Sequence, residues 1–501
     1  MNKQITVTID GKPRLAVAGL TLSEITKTGK LCGGHGRCGK CKVIAKGSLS
    51  EPTDAELNLL TDDELKNNVR LACLTCALGD CEITTLDASE RTQIVTEGDL
   101  PAFEMKPVFA KYGAAIDIGT TTLAARLYDI EGNLLGSTSL LNPQQEWGAD
   151  VISRIEASLG GKAAELAKAI RHALDNIVYE LADGANINSK EIDGAVITGN
   201  TVMLSLLTQE SVEPFSHAPF DAKRLFGEAL TADSLELSSL LPDTRIYLPS
   251  CISAFVGADT ICAILATELC EEKTAMLADI GTNGEMAIWN GGRLTVCSTA
   301  AGPAFEGVGI SMGMRGADGA IDKVSIENGR LTAHVIGGGI PKGICGSGLV
   351  DAVSCMLELE MVDESGYFDE DEIIIQEPVS LIPKDIRMLQ LAKSAICAGL
   401  VTLIASEGIT PTDVSALYIA GGFGRYLDKE SAARIGLFPR ELAKTSKAVG
   451  NAALAGASML LLNVDIKKKA GAIAKDASVL DLSTNQIFSD KYMSGMLLDE
   501  I

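Results

Sequence analysis

The chain has 501 residues, 46% of them hydrophobic and 4% aromatic, and a formal net charge of −23. This length accommodates two or three domains with sizeable cores, while the acidity argues against nucleic acid as a partner and the shortage of aromatic rings leaves no base-stacking platform. The start, Met1 to Asp10, alternates like a strand instead of forming a signal-peptide core, and the most apolar long run, Val449 to Val464, is short for a membrane span and holds Asn451 and Asn463, so a buried helix and a cytoplasmic protein without membrane contact are expected.

In chain order, strands near 3–9 and 13–18 flank an Asp10-Gly11 turn, a short helix follows Thr21, and a strand resumes over Cys41 to Ala45. Ser50 to Asp54 has the character of a helix start, and Glu82 to Leu86 that of a closing strand. Between the first helix and Cys41 lies Cys32-Gly-Gly-His-Gly-Arg-Cys38-Gly-Lys-Cys41, a C-x5-C-x2-C spacing one residue longer in its first gap than the plant-type ferredoxin pattern. Its glycines let the backbone curl and aim amide groups at sulfur. Residues 1–87 thus look like a small ferredoxin-type domain holding a two-iron two-sulfur cluster. The fourth ligand comes from Cys73, Cys76 or Cys81, and Cys73 is preferred because it leads towards the closing strand. The rival is a four-thiolate zinc site from Cys38, Cys41, Cys73 and Cys76, which leaves Cys32 and the glycines without a purpose. His35 stands alone in the loop, and a Rieske centre needs two histidines. Most other cysteines of the thirteen, such as Cys251, Cys262, Cys355 and Cys397, read as small hydrophobes in a reducing compartment.

Charge is unevenly placed: residues 1–87 carry 11 basic and 11 acidic side chains, so the acidic excess lies entirely downstream. Lys27, Lys30, Arg37, Lys40, Lys42 and Lys46 form a basic set around the cysteine loop, either an ordinary solvated face or a docking patch for an acidic electron donor of flavodoxin or ferredoxin type.

Residues 88–111 read as a linker. An internal repeat begins at 112: Asp117-Ile118-Gly119-Thr120-Thr121-Thr122 and Asp279-Ile280-Gly281-Thr282-Asn283-Gly284 align at an offset of 162 residues. Each is expected to continue into a second strand, a turn at Glu131-Gly132-Asn133 or Asn290-Gly291-Gly292, and a third strand ending at Ser137-Thr138 or Ser298-Thr299. Glycine and threonine at such a turn offer N–H groups and hydroxyls to phosphate oxygens, and the aspartate at the strand end suits magnesium. Three more glycine turns fit the same cleft: Leu417 to Arg425 with Gly421, Gly422 and Gly424, Gly343 to Gly348 before a helix, and Val196 to Thr201. Taken singly, each is as well explained as an ordinary strand-to-helix turn.

This order of turns, closed by the small-residue segment Val449-Gly450-Asn451-Ala452-Ala453, resembles the superfamily of acetate and sugar kinases, heat-shock chaperones and actin. Joined to a ferredoxin-like domain, it is similar to the reductive activators of corrinoid proteins, as are Gly199 to Met203, Pro214-Phe215 through Pro219-Phe220, and Ala301 to Gly307. The resemblance implies an α/β duplicated ribonuclease-H-like (actin-like) ATPase domain, with halves at 112–275 and 276–501, behind an α+β β-grasp ferredoxin domain. It implies ATP-dependent transfer of one electron to cobalt(II) of a corrinoid protein, in an anaerobic bacterial cytoplasm. By the same resemblance, Cys32, Cys38, Cys41 and Cys73 hold the cluster, and Asp117 and Asp279 organise magnesium and the attacking water. Gly119, Thr120, Thr121, Thr122, Gly281, Thr282, Asn283 and Gly284 meet the phosphates, Glu306 the ribose, and Gly421, Gly422 and Gly424 the adenosine. A middle domain known in the family is expected to be missing, only the segment 88–111 standing in its place, and a homodimer is left open. The alternatives are a small-molecule kinase with a redox-sensing domain and a redox-gated ATP-dependent scaffold.

Overall fold

A computed structural model describes residues 4–26, 41–85, 98 and 100–500. Cys32, Cys38, His35 and the basic residues Lys27, Lys30, Arg37 and Lys40 lie outside the described residues. The chain divides into two units, Met1–Arg91 with Pro143–Leu166, and Thr92–Asn142 with Ala167–Ile501.

In the first unit, β1 (Gln4–Ile9) buries Ile5, Val7 and Ile9 on one face, the alternation expected of a half-covered strand. It turns through Asp10 and Gly11, both at positive φ, into β2 (Lys12–Val17). Two successive left-handed residues give the hairpin turn whose twist matches its strands. After the helix Leu22–Thr26 come β3 (Lys42–Leu49), β4 (Val69–Leu71) and β5 (Ala77–Thr85). The sheet order is β2-β1-β5-β3-β4, with β1 and β5 parallel and the other pairs antiparallel, which is the β-grasp arrangement. The closing strand starts earlier than the sequence suggests, at Ala77, because Ala77, Gly79, Cys81 and Ile83 continue its buried face.

The second unit carries the repeat. Its first half supplies β6 (Tyr112–Ile118), β7 (Thr122–Asp129), β8 (Leu134–Leu141), β9 (Ile192–Gly199), β10 (Glu228–Thr231) and β11 (Arg245–Leu248). Its second half supplies β12 (Thr274–Ile280), β13 (Gly284–Asn290) and β14 (Arg293–Thr299). A small sheet follows, of β15 (Ala320–Glu327), β16 (Arg330–Val335) and β17 (Gly343–Ile344), then a ribbon of β18 (Ile373–Gln376) and β19 (Val379–Leu381), and finally β20 (Ala416–Ala420), β21 (Ser446–Gly450) and β22 (Ser478–Val479). The two large sheets run β10-β11-β9-β6-β7-β8 and β21-β20-β12-β13-β14-β22. Each has two antiparallel hairpins and, on the far side of the first strand, two parallel strands (β9 and β11, β20 and β21), with β10 added antiparallel at one edge, so the ribonuclease-H-like topology is present twice. The repeat differs in one detail. β14 does end at Ser298-Thr299, but β8 runs past Ser137-Thr138 to Leu141, and Leu141 is the residue paired to Thr122.

Small residues set how the halves of this unit meet. Helices Ala258–Ala266 and Ala452–Leu462, one from each half, pack against each other, and a Cβ at Gly456 would fall 2.0 Å from the Cys262 carbonyl oxygen. Only glycine permits that approach. Every residue of Ala452–Leu462 is buried, a shorter helix than the expected Val449 to Val464, since Val449 lies in β21 and Val464 is exposed. The longer apolar helix Pro383–Ser406 is likewise mostly buried, in the core of the second half. Within the segment read as a linker, the N–H groups of Lys106 and Val108 donate to the carbonyls of Leu462 and Leu461 (2.8 and 3.0 Å), and Phe109 is buried beside β9, so its end belongs to this unit.

Candidate functional site

A cavity of about 440 Å³ opens in the second unit between its two repeats. It is built from the paired turns. Gly119 N–H donates to the Thr122 carbonyl (2.9 Å) and Gly281 N–H to that of Asn283 (3.0 Å), so both loops are pinned by their own backbones. Asn142 N–H then donates to Thr121 O and Gly302 N–H to Thr282 O, each at 2.9 Å. The two tips meet, with Thr121 Oγ1 and Thr282 Oγ1 3.1 Å apart. Both turns line one small volume, and glycine–threonine turns of this kind suit phosphate oxygens.

Behind the turns lie four half-buried carboxylates that line the cavity, Asp117, Asp259, Asp279 and Glu285. Strand pairing sets Asp279 opposite Glu285. Asp259 stands in the first turn of Ala258–Ala266, and Asn451, capping Ala452–Leu462, donates from Nδ2 to Asp117 Oδ2 at 3.1 Å. Burial raises every one of these acids. Asp117 is pushed up to about 8, against the pull of the Asn451 hydrogen bond and with repulsion from Asp259 and Asp279. Asp279 rises to about 7 and Asp259 to about 6, and Glu285 lies well above the carboxylate range. Four acids that resist ionisation together call for a cation to share. Among the described residues no three of them converge closely enough to chelate one by themselves. A divalent ion here would complete its shell with water and phosphate oxygens, the habit of Mg²⁺.

On the other wall, Gly421 (φ +93°) lies under the second turn, where a Cβ would come 2.6 Å from the Ile280 carbonyl oxygen and 3.1 Å from Asp279 Oδ1. Phe305 and Phe423 stack with centroids 4.5 Å apart, and Gly346 fits against both.

In the first unit, Cys41 Sγ and Cys73 Sγ face each other at 3.2 Å, both buried, and Cys73 N–H points to Cys41 Sγ at 3.5 Å. That separation exceeds a disulfide bond of about 2.05 Å and brings two thiols to one point. Glu56 holds the segment bearing Cys73. Its carboxylate accepts from Arg70 Nε and Nη2 (3.1 and 3.2 Å), Leu71 N–H (3.1 Å), Thr75 Oγ1 (2.8 Å) and Thr53 N–H (3.1 Å). Burial alone would raise this acid, but the five hydrogen bonds, led by Arg70, lower it below its usual range. Cys76 is half-buried, with its N–H on Ser50 Oγ, and Cys81 is buried in the sheet core.

The chain itself is similar to known proteins. Family models described as the RACo middle region and as the C-terminal domain of RACo, the ASKHA domain, match residues 112–272 and 273–500. The chain belongs to the RACo family. It is 34% identical over 461 residues to the corrinoid activation enzyme RamQ of Eubacterium limosum, covering 84% of this chain and 76% of that protein. It is 26% identical over 415 residues to a reductase for the cobalt(II) methylated-amine-specific corrinoid protein of Methanosarcina barkeri, covering 76% of each. A solved reductive activator for a corrinoid iron-sulfur protein superposes with a TM-score of 0.74 at 27% identity, over 99% of this chain and 98% of that one. The RACo middle region falls on 112–272, where the first repeat lies.

The residues singled out in the sequence fall unevenly around the RACo cleft. Asp117, Gly119, Thr120, Thr121, Thr122, Asp279, Gly281, Thr282, Asn283, Glu306, Gly421 and Gly422 line the cavity. Gly284 and Gly424 do not. Gly284 packs on Ile396, leaving its neighbour Glu285 to face the cavity, and Gly424 packs on Ile419. Glu306 sits in a single turn, Pro303–Glu306, and accepts from Thr282 Oγ1 at 2.7 Å, so it stands beside the second phosphate turn. Lys42, counted in the basic set, pairs with Glu64 at 2.5 Å. Asp259, Glu285, Arg315 and Glu56 went unnoticed in the sequence. Glu285 directly follows the second turn motif, and Glu56 is the acid of a capping box with Thr53, signals that were available, whereas Asp259 and Arg315 stand in no motif.

Proposed function

We propose that this chain is an ATP-dependent reductive activator that returns the cobalt(II) of a corrinoid protein to cobalt(I). The observation that carries the reading is the pair of facing turns over four cavity-lining acids, with Thr121 and Thr282 in contact, in a chain whose family includes named corrinoid activators. ATP hydrolysis is the reason such a cleft is useful. Each 100 mV of one-electron deficit costs about 2.3 kcal/mol, and plant-type clusters lie near about −400 mV.

Within the cleft, the amides of the two turns and the hydroxyls of Thr121 and Thr282 would hold the phosphates. Asp117 and Asp279 would organise Mg²⁺, Asn451 fixing the Asp117 carboxylate. Gly421 and Gly422 leave room for the adenosine. In the first unit, Cys32, Cys38, Cys41 and Cys73 would hold a two-iron two-sulfur cluster, which supplies the single electron when bound. The contact of Cys41 with Cys73 supports this set over one using Cys76. Glu56 keeps the Cys73 segment in place. An acidic flavodoxin or ferredoxin as electron donor, and the cytoplasm as location, belong to the same reading.

The test is whether ATP turnover answers to a corrinoid protein or to a metabolite. Stimulation of hydrolysis by a cobalt(II) corrinoid protein is the expected result. Stimulation by a sugar or a carboxylate, with phosphorylated product, would replace this reading with a kinase.

A further inference from the structure

Arg315 lines the cavity with the two phosphate turns, in the irregular stretch between the Pro303–Glu306 turn and β15. Its Nη2 is buried and has no hydrogen-bond partner among the described residues. A guanidinium does not give up its proton in a protein, so this is a lasting positive charge with an unused donor. Burial lowers its pKa, and the nearby Glu306 carboxylate opposes that shift. Glu306 is already engaged by Thr282 Oγ1 at 2.7 Å, which ties the neighbourhood of Arg315 to the second turn. The other basic residue on the cavity wall among the described residues, His334, is occupied by Asp322 at 2.6 Å.

The geometry points to Arg315 as a ligand of the nucleotide's phosphate tail. A buried, unspent guanidinium donor calls for an acceptor that the apo protein lacks. The ligand must also fit against both glycine–threonine turns, which line the same cavity. A polyphosphate meets both demands, and arginine's planar fork matches two phosphate oxygens at once. In a cavity walled by carboxylates, a fixed cation also offsets repulsion of an anionic ligand, alongside any metal. Arg315 therefore contributes in proportion to the phosphates present and nothing to the nucleoside. The assignment rests on the nucleotide reading of the cleft.

The test is equilibrium binding of Mg-ATP, Mg-ADP and adenosine to the full chain and to its Arg315→Gln and Arg315→Lys variants, with inorganic tripolyphosphate as a competitor. Arg315→Gln is expected to weaken ATP at least tenfold while changing adenosine less than twofold. Arg315→Lys should fall between, since it keeps the charge and loses the fork. Tripolyphosphate should displace ATP from the unmodified chain and not from Arg315→Gln at the same concentration. Unchanged ATP affinity in either variant, or an equal loss for adenosine, would overturn the assignment. If Arg315→Gln does not fold, Arg315→Lys alone decides by the same ATP and adenosine comparison. Absence of nucleotide binding by the unmodified chain would overturn the cleft reading and Arg315 with it, a result distinct from loss in the variants alone.

Discussion

The nucleotide cleft and the cysteine site are built on opposite plans. The cleft is made twice: two homologous hairpins present the same turn, each pinned by its own backbone, and each half contributes one central helix whose start reaches the acids. The cysteine site is made once. Cys73 depends on a short segment after β4 that one buried carboxylate, Glu56, holds through Arg70, Leu71 and Thr75. Backbone redundancy makes the first site tolerant of side-chain loss in its shape but exposes its chemistry to single charges. The second site should fail structurally when one polar group is removed.

The largest effect should come from the acids of the cleft. Asp117→Asn or Asp279→Asn is expected to lower ATP hydrolysis by at least about a hundredfold, a loss typical of a group that stabilises developing charge, while the visible spectrum of the cluster stays intact. Loss of the spectrum together with hydrolysis would show that the two sites are not separable in this way. Next is the choice of thiols: Cys73→Ser should abolish the cluster absorption and Cys76→Ser should retain it, read directly in the purified proteins. The reverse outcome would move the fourth ligand to Cys76.

A smaller but sharper contrast concerns Glu56. Breaking a buried ion pair by removing one partner costs about 3–5 kcal/mol. Glu56→Gln, which keeps the shape and removes the charge, should therefore lower the thermal midpoint of cluster loss and leave ATP affinity within twofold. Equal weakening of ATP binding would contradict the separate plans.

The last contrast is in pH dependence, where the two regions should differ in sign. Asp117, Asp279 and Asp259 titrate in the fold near 8, 7 and 6, against about 4 when unfolded. Between these limits the folded state holds more protons, so their contribution to stability is whole below pH 4 and declines as pH rises towards 8, by up to about 1.4 kcal/mol per pH unit for each group titrating. Glu56 is lowered instead, so its contribution is present above its ordinary range and is lost on acidification. Thermal melts from pH 5 to 8.5 should thus show the second unit weakening with pH in the absence of nucleotide. Mg-ATP should flatten that slope, because a bound cation favours the ionised acids.

The duplicated topology was legible because the Asp117 and Asp279 motifs fix strand, turn and strand in a single short pattern, and the β-grasp domain because Asp10-Gly11 and the alternating strands speak locally. What the sequence could not show are contacts made by the fold. Asp259 looks like any first-turn acid of a helix until the crossing at Gly456 sets that helix against its partner. Arg315 has no motif, since its significance is the donor left without a partner. Glu56 reads as a capping-box acid, which it is, yet the same carboxylate reaches across 14 residues to Arg70. The end of β8 was misplaced because Ser137-Thr138 lies on a mostly exposed strand where no buried face marks the terminus.

The central claim is that the cleft drives electron delivery from the cysteine site to cobalt. The protein, chemically reduced under anaerobic conditions, should be mixed with a corrinoid protein trapped as cobalt(II), and the cobalt(I) absorption followed with and without Mg-ATP. Formation of cobalt(I) only with Mg-ATP, and its absence in Asp279→Asn despite an intact cluster spectrum, is the predicted result. Equal cobalt(I) formation without ATP, or none with any of several corrinoid proteins despite an intact cluster and active hydrolysis, would contradict the account.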